Sequence, residues 1–163
     1  MTTPNPGFPV DSNLRPMYRC VQELARLEPE LPAMMLTREF VTRTVESALL
    51  RIPLPPAVLS YDLAAHRYVV RSGGGTLAAL HEFMRPDSEA RLVGVEFVLP
   101  DGWAGATFTE LPGRAKTRIQ ETPLRLFEVA PTLPDALVVN LTRRMNGCPG
   151  GDTARRSRLD VPG

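Results

Sequence analysis

The stretch 71-RSGGGTLAALHEFM-84 joins two segments of different periodicity. Before it, 65-AHRYVVRS-72 has the β-branched residues of a strand. After it, Leu77, Leu80 and Met84 recur at helical spacing, which predicts a helix over 76–85. Three consecutive glycines lie between the two segments. A strand, a glycine turn and a helix in this order direct several backbone N–H groups at whatever lies before the helix.

That junction predicts a phosphate or nucleotide site. Backbone N–H groups supply the donors, two hydroxyls and one guanidinium flank them, and the proposed residues are Arg71, Ser72, Gly73, Gly74, Gly75 and Thr76. No lysine follows the glycines, so the loop is not a P-loop, and the spacing is not a dinucleotide fingerprint. Consecutive glycines also occur in plain flexible connections, and that alternative stays open.

Outward from this junction, helical and strand patterns alternate irregularly. Helices are predicted over 13–27, from a Thr37 cap to about 51, over 76–85, within 108–120, and over 133–145, where Thr132 and Asp135 form a capping box. Strands are predicted over 57–61, 65–72, 91–99 and 123–130, and a turn around Asp62–Ala65 links the first two. The pattern indicates one small mixed α/β domain with a short mixed sheet flanked by helices. The irregular alternation argues against a doubly wound nucleotide fold.

Length, charge and apolar content limit which kinds of protein this chain can be. The chain has 163 residues, enough for one domain, and a net charge of +1, so no global field drives it onto nucleic acid. We expect a flexible arm over 1–12, a domain over 13–147 and a disordered tail over 148–163. No apolar run approaches the ~20 residues that cross a bilayer, and no leader pattern opens the chain. A cytoplasmic protein without membrane contact is the expectation.

Metal and redox chemistry have little support in the sequence. Cys20 and Cys148 fit no metal spacing and are expected to be reduced thiols. The two histidines are too few for a histidine-based site. No metal ligand is therefore predicted, although a carboxylate-rich magnesium site stays open.

A resemblance emerges when the motifs are taken in order. The segments Val45–Leu49, Ile52–Pro56 and 68-YVV-70 precede 107-TFTELP-112 and 144-RMN-146. In this order and spacing they resemble the N-terminal domain of GmrSD-type modification-dependent nucleases, within the ParB/sulfiredoxin-like superfamily. The resemblance covers about residues 38–150 and implies a ParB/sulfiredoxin-like fold.

The chain departs from that family at the glycine junction. The family carries nucleotide and catalytic chemistry on Asp-Gly-Gln-Gln-Arg, and here the matching residues are Ser72, Gly73, Gly74, Gly75 and Thr76. Only Gly73 keeps the family residue. The carboxylate, the amides and the guanidinium are gone, so no catalytic residue is assigned.

Small members of the superfamily include the plasmid fertility-inhibition, or oncogenic-suppression, proteins. The resemblance to them implies a protein that blocks DNA transfer through a type IV secretion system. Its partners would be DNA, the coupling protein or the relaxase–DNA cargo. The alternative is a nucleotide- or metal-dependent DNase with a remodelled ParB-like site, for which ATP and Mg²⁺ would be the cofactors. A regulatory protein without a nucleic-acid role is a third possibility.

Two groups of residues are predicted to touch DNA. One is the basic run of Arg114, Lys116 and Arg118, which with the nearby Arg125 could form a basic face, and for which a solvated helix face is the alternative interpretation. The other is Arg144 with Asn146, which match the family segment, although Arg144 also suits a helix C-terminus electrostatically. Binding should be weak, independent of sequence and lost as salt rises. Trp103 could stack on a base or dock against the core.

Overall fold

In the computed structural model, a four-stranded mixed sheet organises the domain. The structure describes residues 14–31 and 33–147, so the predicted arm and tail lie outside the described residues. The elements are β1 (Arg15–Cys20), α1 (Val21–Arg26), α2 (Arg38–Leu50), β2 (Ala57–Asp62), β3 (Arg67–Ser72), α3 (Gly74–Met84), α4 (Gly113–Gln120), β4 (Pro123–Glu128) and α5 (Asp135–Met145). The strand order is β1-β4-β2-β3. β2 pairs parallel with β4, whereas β1–β4 and β2–β3 are antiparallel. The predicted mixed α/β class is confirmed.

The two faces of the sheet build two separate cores. Successive strand residues point to opposite faces, so Ala57 and Leu59 lie on one side of β2 and Val58 on the other. The first side packs against α1, α2, α3 and α4 in the larger core. Val58 packs instead with residues of α5 and of the segment before it, such as Leu133 and Val138. One helix therefore covers the second face, and the other helices cover the first.

Two local predictions are confirmed. Thr37 caps α2, because its Oγ1 accepts a hydrogen bond from the Phe40 N–H at 3.1 Å. The hairpin turn between β2 and β3 is closed by Asp62, whose Oδ1 accepts from the N–H groups of Ala64 and Ala65. In both places a short polar side chain forms a hydrogen bond with the backbone a few residues away. Because this interaction is local, the sequence alone predicts it.

The predicted helix over 13–27 is wrong in its first half. Residues Arg15–Cys20 form β1, paired along its length with β4, and only Val21–Arg26 is helical. Of the apolar residues at helical spacing in this segment, Val21 and Leu24 are buried, whereas Leu14, Met17 and Leu27 are not. Pairing with β4 outweighed the helical spacing of Leu14 and Met17.

The predicted strand over 91–99 is also wrong, because the structure assigns no strand there. Its backbone groups find partners outside any sheet. Leu92 exchanges hydrogen bonds with the loop at 105–106, and Phe97 N–H donates to the buried carboxylate of Glu46 at 2.7 Å. A β-prone sequence forms a strand only where a neighbouring strand is within reach.

The last helix begins later than predicted. α5 starts at Asp135 after Pro134, so Thr132 does not cap it and the capping box does not form. The Asp135 carboxylate accepts a hydrogen bond from Arg71 instead. The predicted end is confirmed, since α5 stops at Met145 and Gly147 adopts a positive φ of 76°. Within the described residues, no helix has the length and apolarity needed to cross a membrane.

Candidate functional site: the glycine junction and the basic side chains

The glycine junction lies where β3 turns into α3. The helix begins at Gly74, two residues earlier than predicted, so two of the glycines belong to its first turn. Gly73 precedes it with φ 73°. A Cβ atom placed on Gly73 would lie 2.5 Å from the carbonyl oxygen of Pro56. Both the dihedral angle and the close backbone approach require glycine at this position.

The first turn of α3 is packed against the protein. Gly74 and Thr76 are buried. A Cβ atom on Gly75 would meet Phe40 Cζ at 3.3 Å and Met34 Sδ at 3.8 Å. These two apolar side chains therefore lie on the Cβ side of Gly75, which is itself half-buried. The N-cap, Gly73, supplies no side-chain acceptor either, so the first N–H groups of α3 have no side-chain cap.

Arg71 is tied into the fold. Its side chain is only 14% exposed. Nη2 donates to the Leu133 carbonyl and to Asp135 Oδ1, both at 2.6 Å, and Nη1 reaches the Pro131 carbonyl at 3.4 Å. The guanidinium thus joins the end of β3 to the segment that leads into α5. The predicted phosphate ligand acts in this structure as a bridge between two elements.

Ser72 and α5 meet at the same junction. Thr142 Oγ1 lies 2.6 Å from Ser72 Oγ and 3.0 Å from the Val138 carbonyl. One hydroxyl hydrogen serves only one of these contacts, so Ser72 donates when Thr142 bonds the carbonyl. The structure therefore brings the glycine junction to the helix that ends in 144-RMN-146, although 70 residues separate the two hydroxyls in sequence.

The two predicted DNA residues of that helix lie apart from the junction. Arg144 is exposed and its Nε donates to Asn140 Oδ1 at 3.0 Å. Two residues correspond to about 200° of helix rotation, so Arg144 lies on the side of α5 away from Thr142 and Ser72. Asn146 is the exposed C-cap, and its N–H donates to the Thr142 carbonyl.

The basic residues of α4 pack on aromatic rings. The Cζ atoms of Arg114 and Arg118 lie 5.5 and 5.9 Å from the centroid of the Trp103 ring. Lys116 Nζ lies 5.9 Å from the Phe108 ring. Arg118 also donates from Nη1 to the Leu49 carbonyl at 2.9 Å, at the end of α2. Trp103 itself is only 2% exposed, so it docks in the core rather than presenting a face for a base.

A polar cleft of about 1070 Å³ was not predicted from the sequence. Charged side chains of both signs line it: Arg38, Glu82, Arg85, Asp87, Glu89 and Arg91. Arg85 pairs with Glu82 and Asp87, and Arg91 pairs with Glu110. The only signal in the sequence was the dense mixture of charges over 82–91, which is equally typical of a solvated loop.

The Glu110 carboxylate is held by a backbone N–H group and by an arginine. Its pKa is lowered from the ordinary value because the Thr107 N–H donates to the carboxylate at 2.9 Å and because Arg91 pairs with it. Thr107 and Glu110 both belong to the motif 107-TFTELP-112, and Arg91 lies outside it. Within residues 14–31 and 33–147, no group of three or more His, Cys, Asp and Glu side chains is placed to hold a metal.

Comparison of the chain with protein-family models, with curated proteins and with solved structures finds no match. The resemblance to the ParB/sulfiredoxin-like superfamily therefore stays a prediction.

Proposed function

We propose that the chain is a fertility-inhibition protein of the oncogenic-suppression type, which acts in the cytoplasm by binding and not by cleavage. In this proposal it blocks DNA transfer through a type IV secretion system by contacting DNA, the coupling protein or the relaxase–DNA cargo. The observation that supports it best is the position of Arg71, whose guanidinium is already held by two acceptors at 2.6 Å.

A phosphate bound at the glycine junction would displace contacts that Arg71 already makes. To bind a ligand, Arg71 would have to release the Leu133 carbonyl and Asp135. A partly buried acceptor left without its donor costs about 1–3 kcal/mol. Gly73 packs closely against the backbone of Pro56. The Cβ side of Gly75 faces Phe40 and Met34. The polar groups of the junction therefore serve the architecture, which moves the function to the outer surface.

One observation favours the alternative, a nucleotide- or metal-dependent DNase. α3 begins without a side-chain cap, so its first N–H groups are free of side-chain acceptors. Such a turn is a suitable place for a phosphate of ATP or of a DNA strand. Mg²⁺ would then arrive with the phosphates, as it commonly does in nucleotide sites.

The two functions separate in one pair of experiments. Expression in cells that carry a transferable plasmid should lower the frequency of conjugative transfer. Purified protein incubated with supercoiled plasmid should leave it intact, with or without Mg²⁺ and ATP. Cleavage that needs Mg²⁺ or ATP, and that disappears in Gly74→Asp, would establish the DNase instead. Normal transfer frequency at confirmed expression would contradict the inhibitory function.

A further inference from the structure

Among the described residues, no helix covers one half of a sheet face. α5 packs mainly on β2 and β3. On the same face, the register of β1 and β4 pairs Tyr18 with Arg125 and Pro16 with Phe127. Tyr18 is 68% exposed, and Arg125 is also exposed. We call this half-covered region, defined by residues 16, 18, 20, 123, 125 and 127, the open half-sheet.

Three side chains of the open half-sheet, those of Tyr18, Arg125 and Phe127, lie next to one another. The Arg125 Cζ lies 5.0 Å from the centroid of the Phe127 ring, which is itself buried. A guanidinium stacked on an aromatic ring lies flat and keeps its N–H groups directed outward along its edges. Tyr18 stands directly across the strand pair, so its ring and the guanidinium are neighbours on one face.

The charge of this region is one-sided. None of its six residues is acidic, and Arg125 is their one charged member; Arg15 and Arg19 alternate with them along β1 and point to the opposite face of the sheet. Within the described part of the chain, Arg125 takes part in no ion pair, whereas Arg43, Arg67, Arg71, Arg85 and Arg91 do. A partner that matches these groups must be anionic and must offer a flat surface to an exposed phenol ring.

β1 is also a poor edge for strand addition. Pro16 has no N–H to donate. Arg15 and Arg19 on the same strand place charge along this edge, which discourages pairing with another sheet. A partner should therefore engage the side chains of the open half-sheet and not the backbone of its edge.

We infer that the open half-sheet binds single-stranded nucleic acid. One base stacks on the Tyr18 ring, and a neighbouring phosphate takes the outward N–H groups of Arg125. Stacking on exposed aromatic side chains with flanking arginines is the common way in which single strands are held. A duplex keeps its bases stacked inside and cannot offer one to Tyr18. The inference rests on the proposed function only in naming DNA as a partner.

The test measures the affinity of the full chain for a short labelled thymidine oligonucleotide by fluorescence anisotropy. Tyr18→Ala should lower the affinity about 5- to 150-fold, as expected for one lost base stack. Tyr18→Phe should keep the affinity within about twofold, because the ring remains. Arg125→Ala should weaken binding, whereas Arg26→Ala, which removes an exposed arginine from the last turn of α1, serves as the matched control and should change little.

Four outcomes would overturn the inference: no binding by the unaltered chain, equal or tighter binding of a duplex of the same length, unchanged affinity in Tyr18→Ala, or a larger loss of affinity in Arg26→Ala than in Arg125→Ala. Thermal unfolding of each variant shows that the exposed substitutions leave the fold intact. Tyr18-dependent capture of the coupling protein without oligonucleotide binding would equally replace the nucleic acid by a protein.

The transfer assay separates this inference from the proposed function. If Tyr18→Ala loses oligonucleotide affinity and still inhibits transfer, the single-strand site stands and inhibition acts through the coupling protein. If the unaltered chain inhibits transfer and binds no oligonucleotide, the proposed function stands and this inference fails.

Discussion

The glycine junction and the open half-sheet each place an arginine on the same face of the sheet. One guanidinium is largely buried and hydrogen-bonded within the fold, and the other is exposed. Arg71 is 14% exposed and bonded to Leu133 and Asp135. Arg125 is exposed, stacked on Phe127 and free of ion pairs within the described residues. An arginine beside a conspicuous motif can be structural, while one in an ordinary strand remains available to a partner. The difference is whether α5 covers the residue.

The largest effect should come from Gly73→Val. A β-branched residue at φ 73°, with its Cβ 2.5 Å from the Pro56 carbonyl oxygen, combines strain with a backbone clash. We expect a loss of at least about 3 kcal/mol in the free energy of unfolding, measured by urea denaturation. Gly102→Ala isolates the strain, since φ there is 82° with nothing within 4 Å. Equal stability of the two variants would remove the clash from the argument.

Arg71→Ala should come next. It removes two charge-assisted bonds that join β3 to the segment before α5, although the exposed Asp135 partner weakens the ionic part. We expect a loss of about 2 kcal/mol in unfolding free energy, with faster amide exchange in α5. Arg143→Ala, at an exposed position of α5, should be nearly neutral. A neutral Arg71→Ala would reopen the guanidinium as a phosphate ligand.

The salt dependence of oligonucleotide binding should separate the two arginines directly. A cation that touches a phosphate releases a counterion, so its removal lowers the slope of log affinity against log salt by about 1. Arg125→Ala should show this change and Arg71→Ala should not. The measurement is a set of titrations at several salt concentrations, and the reverse pattern would assign the phosphate to the glycine junction.

The smallest expected effect concerns Glu110, which is held by hydrogen bonds like Arg71 but whose side chain is half exposed. Its pKa is lower in the folded chain than in the unfolded one, so the folded state binds its proton less readily. Its contribution is therefore fully present above the unfolded pKa and is lost as the pH falls through the folded pKa. Unfolding midpoints across acidic pH should fall less steeply for Glu110→Gln than for the unaltered chain. Parallel curves would show that the Thr107 and Arg91 contacts do not survive in solution.

Several parts of the candidate sites were accessible from the sequence. The turn between β3 and α3, the Thr37 cap and the Asp62 turn depend on residues within a few positions of one another, and glycine or a short polar side chain marks each of them. The open half-sheet was not accessible, because the segment 13–27, which contains Tyr18, was assigned to a helix. Its exposed ring became visible only through the pairing of β1 with β4.

By itself, the sequence determined the mixed α/β class and the places where the chain turns, because periodicity and turn chemistry are local properties. Only the tertiary structure decided which polar groups are still available. Residues 91–99 form no strand because no neighbouring strand pairs with them. Arg71 cannot readily bind a ligand because its guanidinium is hydrogen-bonded to residues 131–135. Sheet pairing and the use of a guanidinium both depend on partners about 60 residues or more away, and no local pattern encodes them.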